Sequence, residues 1–145
     1  MRRLVIGFVL ATTLALSGCS TTSAISSLTS NPLVSSLTGG IPGLSAEQAI
    51  GGAGALLGLA KEKIPADQWG KIASAVPGSS DLVTQGLKLA GLSGGSLGSL
   101  ANMAGGLGKL GVTPDTVSKM VPAMGSFIGK SGGSDLANTF LNAVK

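Results

Sequence analysis

The chain reads as all-α: a small bundle of about six helices, divisible into two pseudo-repeated halves, following a flexible tether. Three observations predict this. Apolar residues recur at spacings of three and four in successive segments. Start signals of the kinds Asn-Pro, Ser-x-x-Gln and Thr-Pro-Asp precede several of those segments, and glycine follows most of them. Beyond residue 19 the only aromatics are Trp69, Phe127 and Phe140. The core must therefore be built from Leu, Ile, Val, Met and Ala, with glycines that let helices approach closely.

Taken in order, residues 19–30 are dominated by Ser and Thr and read as the flexible tether. Asn31-Pro32 supplies an N-cap and a proline at the first helical position, opening a short helix through Leu33, Val34 and Leu37 that Gly39 and Gly40 stop. Ser45-Ala46-Glu47-Gln48 is a capping box, with Glu47 at the positive end of the helix dipole, and predicts a helix from Ala46 to about Lys63. Pro65 and Asp67 start another, with Trp69, Ile72, Ala73 and Val76 at helical spacing until Pro77-Gly78. Ser79 or Ser80 caps the next, whose apolar side is Leu82, Val83, Leu87 and Leu89.

The stretch from Gly91 to Gly98 is the weakest for regular structure. Leu97, Leu100, Met103, Ala104, Leu107 and Leu110 then predict a helix ended by Gly111, despite Gly105 and Gly106. Thr113-Pro114-Asp115 starts a longer one past Val117, Met120, Val121, Met124, Phe127 and Ile128, in which Pro122 should produce a kink. Gly132-Gly133 stops it, and Ser134-Asp135 opens a last helix bearing Leu136, Phe140, Leu141 and Val144.

A shift of 68 residues carries Ser45 onto Thr113, Glu47 onto Asp115, Asp67 onto Asp135, Leu56 onto Met124 and Ile72 onto Phe140. Each half is then a short apolar helix, a capped longer helix and a further helix, and the halves are expected to pack about a pseudo-twofold axis. The run Ala49–Ala60 is apolar throughout but only twelve residues long, against the ~20 needed to span a bilayer. It predicts a buried helix, and Gly54 and Gly58 on it predict a close neighbour, because helical glycine costs ~1 kcal/mol relative to alanine.

The amino terminus has its own logic. Arg2 and Arg3 form a basic n-region and Leu4–Leu16 an apolar h-region of thirteen residues, too short at ~20 Å to be a comfortable span. The following Leu16-Ser17-Gly18-Cys19 resembles the lipobox of bacterial lipoproteins. That resemblance implies a signal peptide over 1–18, acylation of Cys19 as the mature first residue, and attachment to a membrane through lipid. Ser20 stands where aspartate commonly marks inner-membrane retention, so it also implies the periplasmic face of the outer membrane. The domains are thus 1–18 signal peptide, 19–30 tether and 31–145 helical domain.

Removal of 1–18 takes two of ten basic residues and none of the six acidic ones, leaving side chains at +2. The remaining lysines are scattered, without a polybasic run or an aromatic platform, which argues against nucleic acid as a partner. No disulfide is available once Cys19 carries lipid.

Asn31-Pro32-Leu33-Val34, Leu44-Ser45-Ala46-Glu47-Gln48-Ala49 with the glycine run behind it, Ala75-Val76-Pro77-Gly78 and Leu110-Gly111-Val112-Thr113-Pro114 together resemble the uncharacterised bacterial VcgC/VcgE family over most of 31–145. The resemblance implies a small, helical, commonly exported protein and supplies no functional residues to transfer. The chain departs from the family pattern at Gly39–Gly43 and at Pro65, both of which concern helix starts.

Catalytic chemistry finds few carriers here. Histidine and tyrosine are absent, Cys19 is consumed by lipid, and the six carboxylates mostly fall at helix starts, where dipole effects explain them. The expectation is a non-enzyme with no metal and no cofactor other than the covalent lipid on Cys19. Two roles remain: an interaction module that docks on an envelope protein, or a carrier or sensor of an apolar ligand. The second would draw on Trp69, Met103, Met120, Met124 and Phe127 as pocket residues, side chains for which core packing is the alternative use.

Overall fold

A computed structural model describes residues 25–92 and 100–145. Among them there is no strand, and every regular element is helical. Residues 25–29 are helical (α1), followed by α2 (Pro32–Gly40), α3 (Ala46–Lys63), α4 (Ala66–Ala75), α5 (Ser79–Leu89), α6 (Leu100–Lys109), α7 (Pro114–Gly132) and α8 (Ser134–Ala143). The described helices thus number eight rather than six. Residues 25–29, which composition assigns to the tether, are helical because Leu28 is buried and Ile25 packs against the core.

The long helices begin where their caps place them. Ser45 accepts from the Gln48 amide while the Gln48 side chain accepts from the Ser45 amide, completing the capping box. Thr113 accepts from the Thr116 amide at 3.3 Å. One expected cap differs. Gly78, in the left-handed region at φ 70°, is the N-cap of α5, so Ser79 becomes its first helical residue; the buried Ser79 hydroxyl donates to the Ala73 carbonyl, 3.4 Å away in α4. Gly133 is likewise the N-cap before Ser134, which opens α8 as expected. Gly39 and Gly40 form the last turn of α2 rather than stopping it. Pro122 lies within α7, which continues as one helix from Pro114 to Gly132.

The fold is organised around α3. All twelve residues from Ala49 to Ala60 are buried, the signature of a helix surrounded on every side. Its most extensive neighbour is α5, which runs antiparallel to it: Gly51 lies against Leu89, and Gly54 against Gly86 and Leu82. A Cβ built on Gly86 would lie 2.6 Å from Gly54 Cα and 2.7 Å from the Ile50 carbonyl oxygen, so the two backbones touch with no side chain between them. The close neighbour predicted from the glycine run is thus another helix of the same chain, through Gly54.

The 68-residue shift reappears in three dimensions. It carries Pro32 onto Leu100, Ala46 onto Pro114 and Ala66 onto Ser134, the first residues of α2 and α6, α3 and α7, and α4 and α8. Gly43 and Gly111, also related by the shift, both have positive φ, at 80° and 74°. Contacts between the triplets come in exchanged pairs, α2 on α7 with α6 on α3, and α4 on α7 with α8 on α3. The equivalent residues Gly52 and Met120 meet each other, since a Cβ on Gly52 would lie 2.8 Å from Met120 Sδ. One pair of equivalent residues thus meets directly, and α5 stands outside the repeat.

Polar side chains lock the corners. Asn31, only 8% exposed, accepts from the Leu33 amide and donates its Nδ2 hydrogen to the Pro77 carbonyl, joining the start of α2 to the α4–α5 turn. Gln48 does the same between halves, its Nε2 donating to the Leu110 carbonyl at 3.0 Å. Among the described residues, no buried side-chain nitrogen or oxygen lacks a hydrogen-bond partner. Their helices include none long and apolar enough to cross a membrane.

Candidate functional site

Cys19 lies outside the described residues, as does Leu97. The five residues expected to line a ligand pocket divide into two groups. Met103, Met120 and Met124 are fully buried, and Met120 lays its thioether end against Gly52. Trp69 and Phe127 are half-buried and pack against the rim of the same hydrophobic cluster. All five therefore belong to or border one core. A fully buried side chain of this size contributes ~1.5–3 kcal/mol through burial alone, so packing is a sufficient reason for the methionines.

Several surface hollows lie elsewhere. One, of about 470 Å³, opens between α4 and the α7–α8 turn and is lined by Asp67, Lys71, Ser74, Ser131 and Leu136. Asp67 and Lys71 stand one turn apart on α4, Asp67 in its first turn where the dipole favours an acid. A Cβ on Gly70, in the same wall, would meet nothing within 4 Å, so this hollow is open. It offers both signs of charge, hydroxyl groups and one apolar side chain. It draws on helices of both halves, so no local pattern announces it: Lys71 and Ser131 are brought together only by the packing of α4 on α7.

The second hollow is apolar and smaller, about 240 Å³, between α6 and the first turns of α7; Ala101, Ala104, Leu107, Pro114 and Val117 line it. Pockets that enclose small molecules usually measure ~300–1,000 Å³, so this one is a shallow groove by comparison.

The charged groups are distributed plainly. All eight lysines and six carboxylates of the described residues are exposed. Glu47, Asp67, Asp81, Asp115 and Asp135 occupy first turns of α3, α4, α5, α7 and α8, as expected for acids that complement helix dipoles. No group of three or more Cys, His, Asp or Glu residues among the described residues is placed to hold a metal ion.

Neither a curated protein nor a solved structure matches the chain. A family model does, described as Protein of unknown function VcgC/VcgE (DUF2780), and it matches residues 12–145. The match is wider than the similarity read from 31–145, for it takes in Cys19 and the Ser/Thr-rich segment as well as both helical triplets. The chain therefore belongs to the VcgC/VcgE family of proteins of unknown function.

Proposed function

We propose that this protein is a lipid-anchored, non-catalytic interaction module on the periplasmic face of the bacterial outer membrane, whose helical domain binds another protein of the envelope. The observation that carries the reading is Leu16-Ser17-Gly18-Cys19 after a basic n-region and a short apolar h-region. Acylation there would place two or three chains in the bilayer, and at ~0.8 kcal/mol per buried methylene two chains already hold a protein durably. The family match, which spans Cys19 together with the helical domain, supports treating anchor and domain as one working unit.

The open hollow at Asp67, Lys71, Ser74 and Ser131 is the surface offered to the partner. Its mixed charge suits a polypeptide more than an acyl chain. The carrier reading has less support, because Met103, Met120 and Met124 are committed to the core and the apolar groove is small.

Photo-crosslinking residues at positions 71 and 131, in intact envelopes, test the proposal by mass spectrometry of the adducts. One envelope protein captured at both positions, and not from position 84 on the exposed side of α5, is the expected result. Adducts spread without preference would sink the module reading, and a shift of Trp69 emission on adding phospholipid would favour a carrier. Cys19→Ala should release the protein from the membrane fraction.

A further inference from the structure

The helical segment that follows the anchor in sequence contributes no charge to the surface, and it starts a short distance along the chain from the anchor. From Leu4 to Ala46 the chain contains no Asp, Glu, Lys or Arg. The part of that stretch within the described residues forms α1, α2 and the loop to α3. Leu28, Leu33, Val34, Leu37, Ile41 and Leu44 point into the core, so the outer side is left to Thr29, Ser30, Ser35, Ser36, Pro42 and Gly43. Beyond it, charge returns at Glu47.

Ile25, the first described residue, is six positions after Cys19. Whatever conformation the intervening residues take, six residues reach at most ~20 Å, and the polar headgroup layer itself occupies ~5–8 Å of that. The nine-residue α2 is ~14 Å long. An acylated Cys19 therefore holds α1 within reach of the lipid headgroups at all times, and the neighbouring α2 with it.

Resting a protein surface against lipid removes water from it, and charged side chains pay heavily for that while hydroxyls and exposed backbone find hydrogen-bond partners among headgroup oxygens. A face of Ser, Thr, Pro and Gly is suited to such contact. We propose that the outer face of α1, α2 and the α2–α3 loop rests on the phospholipid surface, which fixes the orientation of the domain and turns its charged helices away. The proposal rests on the lipid-anchor reading given above.

The test uses the full-length protein, matured in cells, purified with its lipid and reconstituted into vesicles of phosphatidylethanolamine and phosphatidylglycerol. Because Cys19 is acylated, a single introduced cysteine takes the fluorophore: Ser36→Cys on the proposed face, and Ser74→Cys or Ser126→Cys on exposed sides of α4 and α7. The label at position 36 should be quenched by headgroup-labelled lipid and be at least about threefold less accessible to an aqueous quencher than the other two. The double change Ser35→Glu and Ser36→Glu, at exposed positions, should abolish protection of a label at Thr29→Cys without changing the melting temperature. Equal accessibility at all positions, in protein that floats with vesicles and carries diacylglycerol on Cys19 by mass spectrometry, would overturn the orientation alone. Absence of lipid on Cys19 would overturn the anchor, and the orientation with it.

Discussion

Helices α3 and α7 are counterparts that start alike and end differently. Each opens on a hydroxyl N-cap that accepts from the amide three residues on, Ser45 from Gln48 and Thr113 from Thr116, and each is followed by a ten-residue helix. Yet α3 is buried from Ala49 to Ala60, whereas α7 buries only Met120, Met124, Gly125 and Ile128. The difference lies in one face. Ile50, Gly51 and Gly54 of α3, which receive α5, correspond to Ser118, Lys119 and Pro122 of α7, all exposed. A polar and proline-bearing face stays in water.

The converse holds on another side. Gly125, Gly129 and Gly132 of α7 receive Leu141, Ala137 and Leu136 of α8 in an antiparallel hairpin. Their counterparts in the first half are Leu57, Lys61 and Ile64, and α4 touches α3 sparingly while lying more against α7. Caps thus decide where a helix begins, and the placement of its glycines decides which neighbour it accepts.

The sharpest way to break this comparison is to fill the two glycine contacts in turn. Gly54→Ala drives a methyl group into the backbone of α5, 2.7 Å from Gly86 Cα, where nothing can rotate away; it should cost about 3 kcal/mol or more in urea denaturation followed by circular dichroism. Gly125→Ala meets only the end of Leu141, at 2.9 Å, and should cost about 1 kcal/mol. Equal losses would show that the two contacts are not different in kind.

The counterpart of Gly54 is Pro122, and its replacement should act in the opposite direction. Pro122→Ala restores the amide that can donate to the Ser118 carbonyl, at an exposed position within a helix, and should stabilise by about 1–2 kcal/mol. A loss of stability in the same denaturation experiment would mean that the proline shapes the packing of α7 on α2 and α4.

Smaller effects separate the two caps. Gln48→Glu keeps the acceptor for the Ser45 amide but removes the donor to the Leu110 carbonyl, and should cost about 1 kcal/mol by thermal melting. Thr116→Glu, at the matching place in α7, removes no such bond between halves and should change stability by less than about 0.5 kcal/mol. Equal effects would argue that Gln48 works only as a cap.

Much of this was legible in particular residues. Asn31-Pro32, Ser45 with Gln48, and Thr113-Pro114 state local instructions, because an N-cap is satisfied within three residues of itself. Neither Ser79 nor Ser80 caps α5, because Gly78 before them serves as N-cap through its backbone and leaves Ser79 as the first helical residue. Helix α1 was obscured by composition, since two apolar residues, Ile25 and Leu28, are enough to dock so short a segment once a core exists to receive them. For the candidate site the limit was distance along the chain. Lys71 and Ser131 share no local pattern, and neither do Gln48 and Leu110.

By itself, the sequence determined the helical class, the positions of the long helices, the twofold echo and the lipobox pattern, all of which depend on residues within a few positions of one another or on repetition of such patterns. Only the tertiary structure decided that α5 fills the glycine face of α3, that Gly52 and Met120 meet, and that an open polar hollow forms across the halves. Those outcomes depend on which surfaces can approach to van der Waals distance, and that is a property of the packed backbone as a whole.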